Sequence, residues 1–132
     1  MQAIDGVVNN SKDIKDLNLN NVSTLDEKLF CELFEGLRTN ENLVRLSAAN
    51  CGVNDFAAAT LALAVEHNTS LKSLNLESNR ITPDTLGSIF EALAHNANSV
   101  VEVHVSNQAQ SNMGYERYFD SFSLVLRLKL MI

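Results

Sequence analysis

Tryptophan is absent from the 132 residues, proline occurs once, cysteine twice and glycine five times. A lone proline and scattered glycines exclude collagen-like and linker-like chains. Because Gly6, Gly36, Gly52, Gly87 and Gly114 stand apart, no glycine-rich phosphate loop can form, and no nucleotide cofactor is expected. No apolar stretch approaches the ~20 residues of a membrane span. Residues 1–8 lack the basic start and apolar run of a secretory signal, so a cytosolic location is expected. Basic residues are also short: 10 Lys+Arg against 16 Asp+Glu give a net charge of −6. Phosphate-rich partners require a basic stripe, which argues against nucleic acid or an anionic membrane. With 45% hydrophobic and 20% charged residues, the composition is that of an ordinary globular domain. A chain of this length buries roughly two-thirds of its unfolded surface and needs neither metal nor disulfide to fold.

What is present is a repeat. The pattern apolar-x-x-apolar-x-apolar occurs at Ile14/Leu17/Leu19, Leu43/Leu46/Ala48, Leu71/Leu74/Leu76 and Val100/Val103/Val105, with starts spaced 29, 28 and 29 residues apart. Asn40, Asn68 and Asn96 recur every 28 residues and read as left-handed helix stops. Helix starts are marked by Thr24 with Glu27 at capping-box spacing, by Asn54-Asp55, and by Thr82-Pro83-Asp84. Between start and stop lie apolar stripes expected to form repeat core: Leu25, Leu29, Phe30, Leu33 and Leu37, then Phe56, Leu61, Leu63 and Val65, then Leu86, Ile89, Phe90 and Leu93.

Each unit is thus a strand, a turn and a helix of about three turns. The expected fold is α/β, a right-handed leucine-rich-repeat solenoid of about four repeats, with a short parallel sheet inside and helices outside. The ninth pattern position holds Val22, Cys51, Asn79 and Gln108, so a polar turn ladder is expected from Cys51, Asn79 and Gln108. Cys31, on a helix, and Cys51, at a strand end, fall in different repeats and are expected as free thiols. Ile4, Val7 and Val8 share a helical face and read as an amino-terminal cap. The repeat domain is placed at residues 1–110, and residues 111–132 form a divergent end. There Tyr115, Tyr118, Phe119 and Phe122 suit a short helix and Leu124 to Ile132 alternate like an edge strand.

Chemistry is sparse. His67 and His95 occupy equivalent helix ends, where an imidazole suits the negative pole, and no converging third ligand suggests a metal. His104 shares the concave strand face with Glu102 and Ser106, but alternate residues on one strand lie ~7 Å apart, too far for a nucleophile–base pair. No catalytic residue, cofactor or metal site is assigned. The remaining concave positions (Asp16, Asn18, Asn20, Arg45, Ser47, Ser73, Asn75 and Glu77) are small or polar and lack an aromatic anchor. Strand-to-helix loops are the better binding candidates, through Asn21, Asn50, Asn54, Arg80, Asn107, Gln108 and Gln110.

A family resemblance follows from these segments. Leu17-Asn18-Leu19-Asn20-Asn21, Leu37-Arg38-Thr39-Asn40 and especially Leu71-Lys72-Ser73-Leu74-Asn75-Leu76-Glu77-Ser78-Asn79 resemble the carboxyl-terminal repeat domain of tropomodulins and leiomodins. Glu91-Ala92-Leu93 with Asn96, and the loop Asn107-Gln108-Ala109-Gln110, extend it over residues ~4–110. The resemblance implies an actin-binding protein of the cytoskeleton or sarcomere that regulates or caps slow-growing (pointed) filament ends. Tropomyosin is implied as a partner only of the family's preceding half, which has no counterpart before Met1. Beyond Gln110 the family's terminal repeat and helix are not matched, so a truncated form with incomplete capping machinery is expected. The alternative is a generic leucine-rich-repeat scaffold of the ribonuclease-inhibitor type with a non-actin partner.

Overall fold

In a computed structural model, which describes residues 2–95 and 100–109, the 28/29-residue period appears as stacked strand–helix units. The order is α1 (Gln2–Val8), β1 (Asp16–Asn18), α2 (Glu27–Leu37), β2 (Arg45–Ser47), α3 (Asp55–Val65), β3 (Ser73–Asn75), α4 (Pro83–His95) and β4 (Glu102–His104). The strands form one parallel sheet in the order β1-β2-β3-β4. Its register places Leu17, Leu46, Leu74 and Val103 side by side, as the repeat alignment requires.

Each strand is only three residues long, yet the last apolar residue of the pattern continues the ladder: Leu19 N–H donates to Ser47 O at 2.7 Å and Leu76 N–H to His104 O at 2.8 Å. Leu17, Leu19, Leu46, Leu74 and Leu76 point inward onto Phe30, Leu33, Leu61, Leu86 and Ile89 of the helical layer, and all are buried. Cys31 and Cys51 are free thiols, as expected; Cys51 is buried, whereas Cys31, expected to be buried too, is half-buried. Burial pushes the Cys51 thiol up to about 11.

Four expectations change. First, Asn40 and Asn68 do not adopt positive φ. They are buried, and each side chain stitches two repeats together. The Asn40 Oδ1 accepts from Asn42 and Leu43 N–H while its Nδ2 donates to Val7 O. Asn68 repeats this with Ser70, Leu71 and Leu37. Asn96 lies outside the described residues.

Second, α2 is capped by Asp26, whose carboxylate accepts from Leu29 N–H at 2.9 Å, rather than by Thr24. Third, Ile4 and Val7 of α1 are buried against α2 but Val8 is 40% exposed. Fourth, Phe56 and Leu63 are outside the core, at 65% and 66% exposure; only Leu61 and Val65 of that stripe are buried. The helix and strand expected within residues 111–132 lie outside the described residues.

Candidate protein-binding surface

A parallel sheet sends every strand-to-helix loop out of the same edge, so residues at one repeat position line up there. Asn21, Asn50, Ser78 and Asn107 occupy that position, and all four have φ between 51° and 64°. The chain must turn out of the strand in a left-handed conformation, which asparagine tolerates better than other non-glycine residues. Backbone and side chains then tie the row together. Asn21 N–H donates to Ala49 O, Asn50 N–H to Glu77 O and Ser78 N–H to Ser106 O, at 2.9–3.0 Å. Asn50 Nδ2 donates to Asn21 Oδ1 at 2.9 Å and Asn107 Nδ2 to Ser78 Oγ at 3.0 Å. The result is a ridge carrying exposed Asn21, Asn50 and Asn107 along the carboxyl edge of the sheet.

Beneath the ridge runs the buried turn ladder. Asn79 is 2% exposed; its Oδ1 accepts from Cys51, Gly52 and Val53 N–H, and its Nδ2 donates to Ala48, Leu76 and Glu77 carbonyls. Gln108 does the same in the following repeat: its Oε1 accepts from Ile81 N–H and its Nε2 donates to Leu76 and Val105 carbonyls. Cys51 contributes a weak Sγ donor to Ala48 O. Val22, at that position in the first repeat, has no polar side chain to contribute.

The seven loop candidates therefore separate. Asn21, Asn50 and Asn107 share the exposed ridge, and exposed Arg80 lies behind it, its N–H donating to Val53 O and its backbone bridging to Asn54. Asn54 is half-buried and committed to structure: it caps α3 by accepting from Ala57 N–H and donates to Glu27 Oε2 at 2.6 Å. Gln108, expected as an exposed contact, is 5% exposed with both polar ends engaged, so it cannot reach a partner. Gln110 lies outside the described residues.

The concave face forms a depression of about 280 Å³ lined by Asn18, Arg45, Ser47, Asn75, Glu102 and His104, among others. His104 behaves differently from expectation. Although alternate Cα atoms are far apart, the side chains lean together, and Nε2 lies 2.6 Å from Glu102 Oε1 while Nδ1 lies 3.6 Å from Glu77 Oε1. Nε2 is hydrogen-bonded to Glu102, and Nδ1 faces the Glu77 carboxylate beyond hydrogen-bond distance. Among the described residues no group of three His, Cys, Asp or Glu is placed to hold a metal ion. No described helix is long and apolar enough to cross a membrane.

Known proteins share both this sequence pattern and this fold. The sequence model of the TMOD/LMOD leucine-rich domain matches residues 1–117. Tropomodulin-4 of Bos taurus is 32% identical over 109 residues, 83% of this chain and 31% of that protein. Leiomodin-3 of Homo sapiens is 31% identical over 99 residues, 75% of this chain and 18% of that protein. The chain thus spans a third or less of these relatives. Two solved structures share the fold: one described as leiomodin-1 actin-binding site 2, with a TM-score of 0.85 at 22% identity, covering 98% of this chain and 88% of that one. The other, the tropomodulin C-terminal domain of Caenorhabditis elegans, has a TM-score of 0.83 at 22% identity and covers 98% and 92%.

Proposed function

The chain belongs to the tropomodulin/leiomodin family through its leucine-rich domain, and from that premise we propose that it is an actin-binding module that acts at filament pointed ends. Family membership carries the reading, and the exposed Asn21–Asn50–Asn107 ridge with Arg80 supplies a surface suited to it. The ridge is rigid before any partner arrives, because its residues are held by hydrogen bonds between adjacent repeats. A preorganised row of amides loses little conformational entropy on binding and can both donate and accept hydrogen bonds. Arg80 adds an exposed cation, suited to a carboxylate on an acidic surface.

The module binds without catalysis and works in the actin cytoskeleton. Its net charge of −6 opposes long-range steering toward acidic actin, so affinity comes from short-range contacts at the ridge. The decisive experiment is pointed-end elongation of barbed-end-blocked filaments with the full chain, paired with a direct actin titration. Concentration-dependent slowing and saturable binding support the reading. Saturable binding with unchanged elongation would retain an actin-binding module and discard pointed-end action. No binding at high micromolar chain would discard both.

A further inference from the structure

Helix α3 departs from its neighbours on the side facing away from the sheet. The repeat period places Lys28, Phe56 and Asp84 at one outward position and Glu35, Leu63 and Glu91 at another. Neighbouring helices α2 and α4 carry charges at both, as a solvated solenoid surface should. In α3 the same positions hold Phe56 at 65% exposure and Leu63 at 66%. Between them lie Ala59 and Thr60, and no charged residue follows Asp55 until Glu66. These two side chains lie on one face of the helix two turns apart, and nothing among the described residues requires them to be apolar.

Leu63 has a groove on either side. One, of about 350 Å³ between α2 and α3, is lined by Glu35, Arg38, Thr60 and Leu63; the other, of about 370 Å³ between α3 and α4, by Ala59, Leu63, Glu66 and Glu91. Leu63 borders both. Glu35, Glu66 and Glu91 surround it with exposed carboxylates; among the described residues the exposed cations of this face are Arg38 and, level with Phe56, Lys28. An apolar ridge rimmed with acid is complementary to an apolar stripe flanked by base.

We propose that the outward face of α3 is a docking ridge for a basic amphipathic helix of a partner protein, separate from the loop edge. Phe56 and Leu63 enter the apolar stripe of that helix, and its lysines or arginines face Glu35, Glu66 and Glu91. Two model peptides of about four turns test this. Both carry the same leucine stripe at helical spacing, flanked in one by lysine and in the other by glutamate, and each is titrated against the labelled full chain by fluorescence anisotropy.

The lysine peptide should bind at least about tenfold more tightly than the glutamate peptide, and more weakly at high salt. The double substitution F56K/L63E, which installs residues the neighbouring repeats already carry, should lower its affinity at least about tenfold with an unchanged melting temperature. E66K/E91K should reverse the preference between peptides. Equal binding of the two peptides, or wild-type affinity in F56K/L63E, overturns the proposal. So does a dimer in sedimentation that the same double substitution dissolves, since a second copy would then cover the ridge. Loss of actin binding in F56K/L63E would also overturn it, by merging this face with the loop-edge surface.

Discussion

Asn79 touches six backbone groups in two repeats, and its amide supplies both the acceptor and the donors they need. Replacing it with alanine strands buried N–H and C=O groups, each costing about 1–3 kcal/mol, so Asn79→Ala should lose ~2–4 kcal/mol in urea denaturation. Asn79→Asp should be no better, because a carboxylate cannot donate to the Ala48, Leu76 and Glu77 carbonyls. At the ridge the backbone conformation matters more than the amide. Asn50→Gly should therefore change stability by only a few tenths of a kcal/mol, whereas Asn50→Val should cost about 1–2 kcal/mol.

Cys51 makes a pH prediction. Its thiol titrates near 9.0 in an exposed setting and near 11 in the fold, so the fold binds the proton more tightly. Its contribution is full below pH 9 and is lost as pH rises toward 11. A loss on the order of 2 kcal/mol across that window should appear in wild type and be missing in Cys51→Ala. The turn ladder is legible at residue scale because its polar side chains recur at the ninth pattern position. The bridging role of Asn40 and Asn68 is not. Asparagine suits both a left-handed turn and a side-chain bridge, and only burial distinguishes them.

At the scale of elements, the helix starts repeat as strictly as the strands. Asp26, Asn54 and Thr82 precede their helices at 28-residue spacing. Asp26 and Asn54 accept from the third residue on, while Thr82 sends its hydroxyl to Asp55 Oδ2 of the preceding repeat at 2.8 Å. The capping-box pattern at Thr24 and Glu27 is locally attractive, but the period points two residues later. Asp26→Ala should cost ~1 kcal/mol by thermal melting, and Thr24→Ala almost nothing. If Thr24→Ala is the costlier change, the start of α2 is misplaced.

The α1–α2 contact depends on Gly36, where an added Cβ would sit 3.1 Å from the Val8 backbone Cα. Elsewhere in a helix, glycine to alanine gains about 1 kcal/mol in propensity. Here that gain should be offset by steric conflict, and Gly36→Leu should release α1 outright, visible as rapid amide exchange over residues 2–8. Strand positions are legible from the repeat alone, since a fixed period with alternating apolar residues admits only one register. The face of α3 is not. A helix apolar on most sides has no hydrophobic stripe to orient it, so Phe56 and Leu63 read as inward when they point out.

For the whole molecule, the repeats share one continuous core, so a deletion in the middle is felt throughout. Leu74 is fully buried on β3, between β2 and β4. Leu74→Ala should cost ~2–5 kcal/mol as a core cavity, and a wild-type urea midpoint would mean that the repeat register is wrong. Fold class and family are readable because period, strand sequence and helix length agree from unit to unit. The proposed binding surface is readable only as an edge. Loop residues alternate between exposed Asn21, Asn50 and Asn107 and buried Asn79 and Gln108, and single-residue offsets decide which is which.

Net charge sets the kinetics: with two acidic partners, raising salt from ~0.01 to ~0.15 M should speed association with actin rather than slow it. The claim that the loop edge of a preorganised solenoid meets actin is tested most directly by amide hydrogen exchange of the full chain, free and actin-bound. Added protection should be confined to residues 19–26, 48–55, 76–82 and 105–109. Protection over the outward helices with none at the loops, or no change on saturation with actin, would contradict the account.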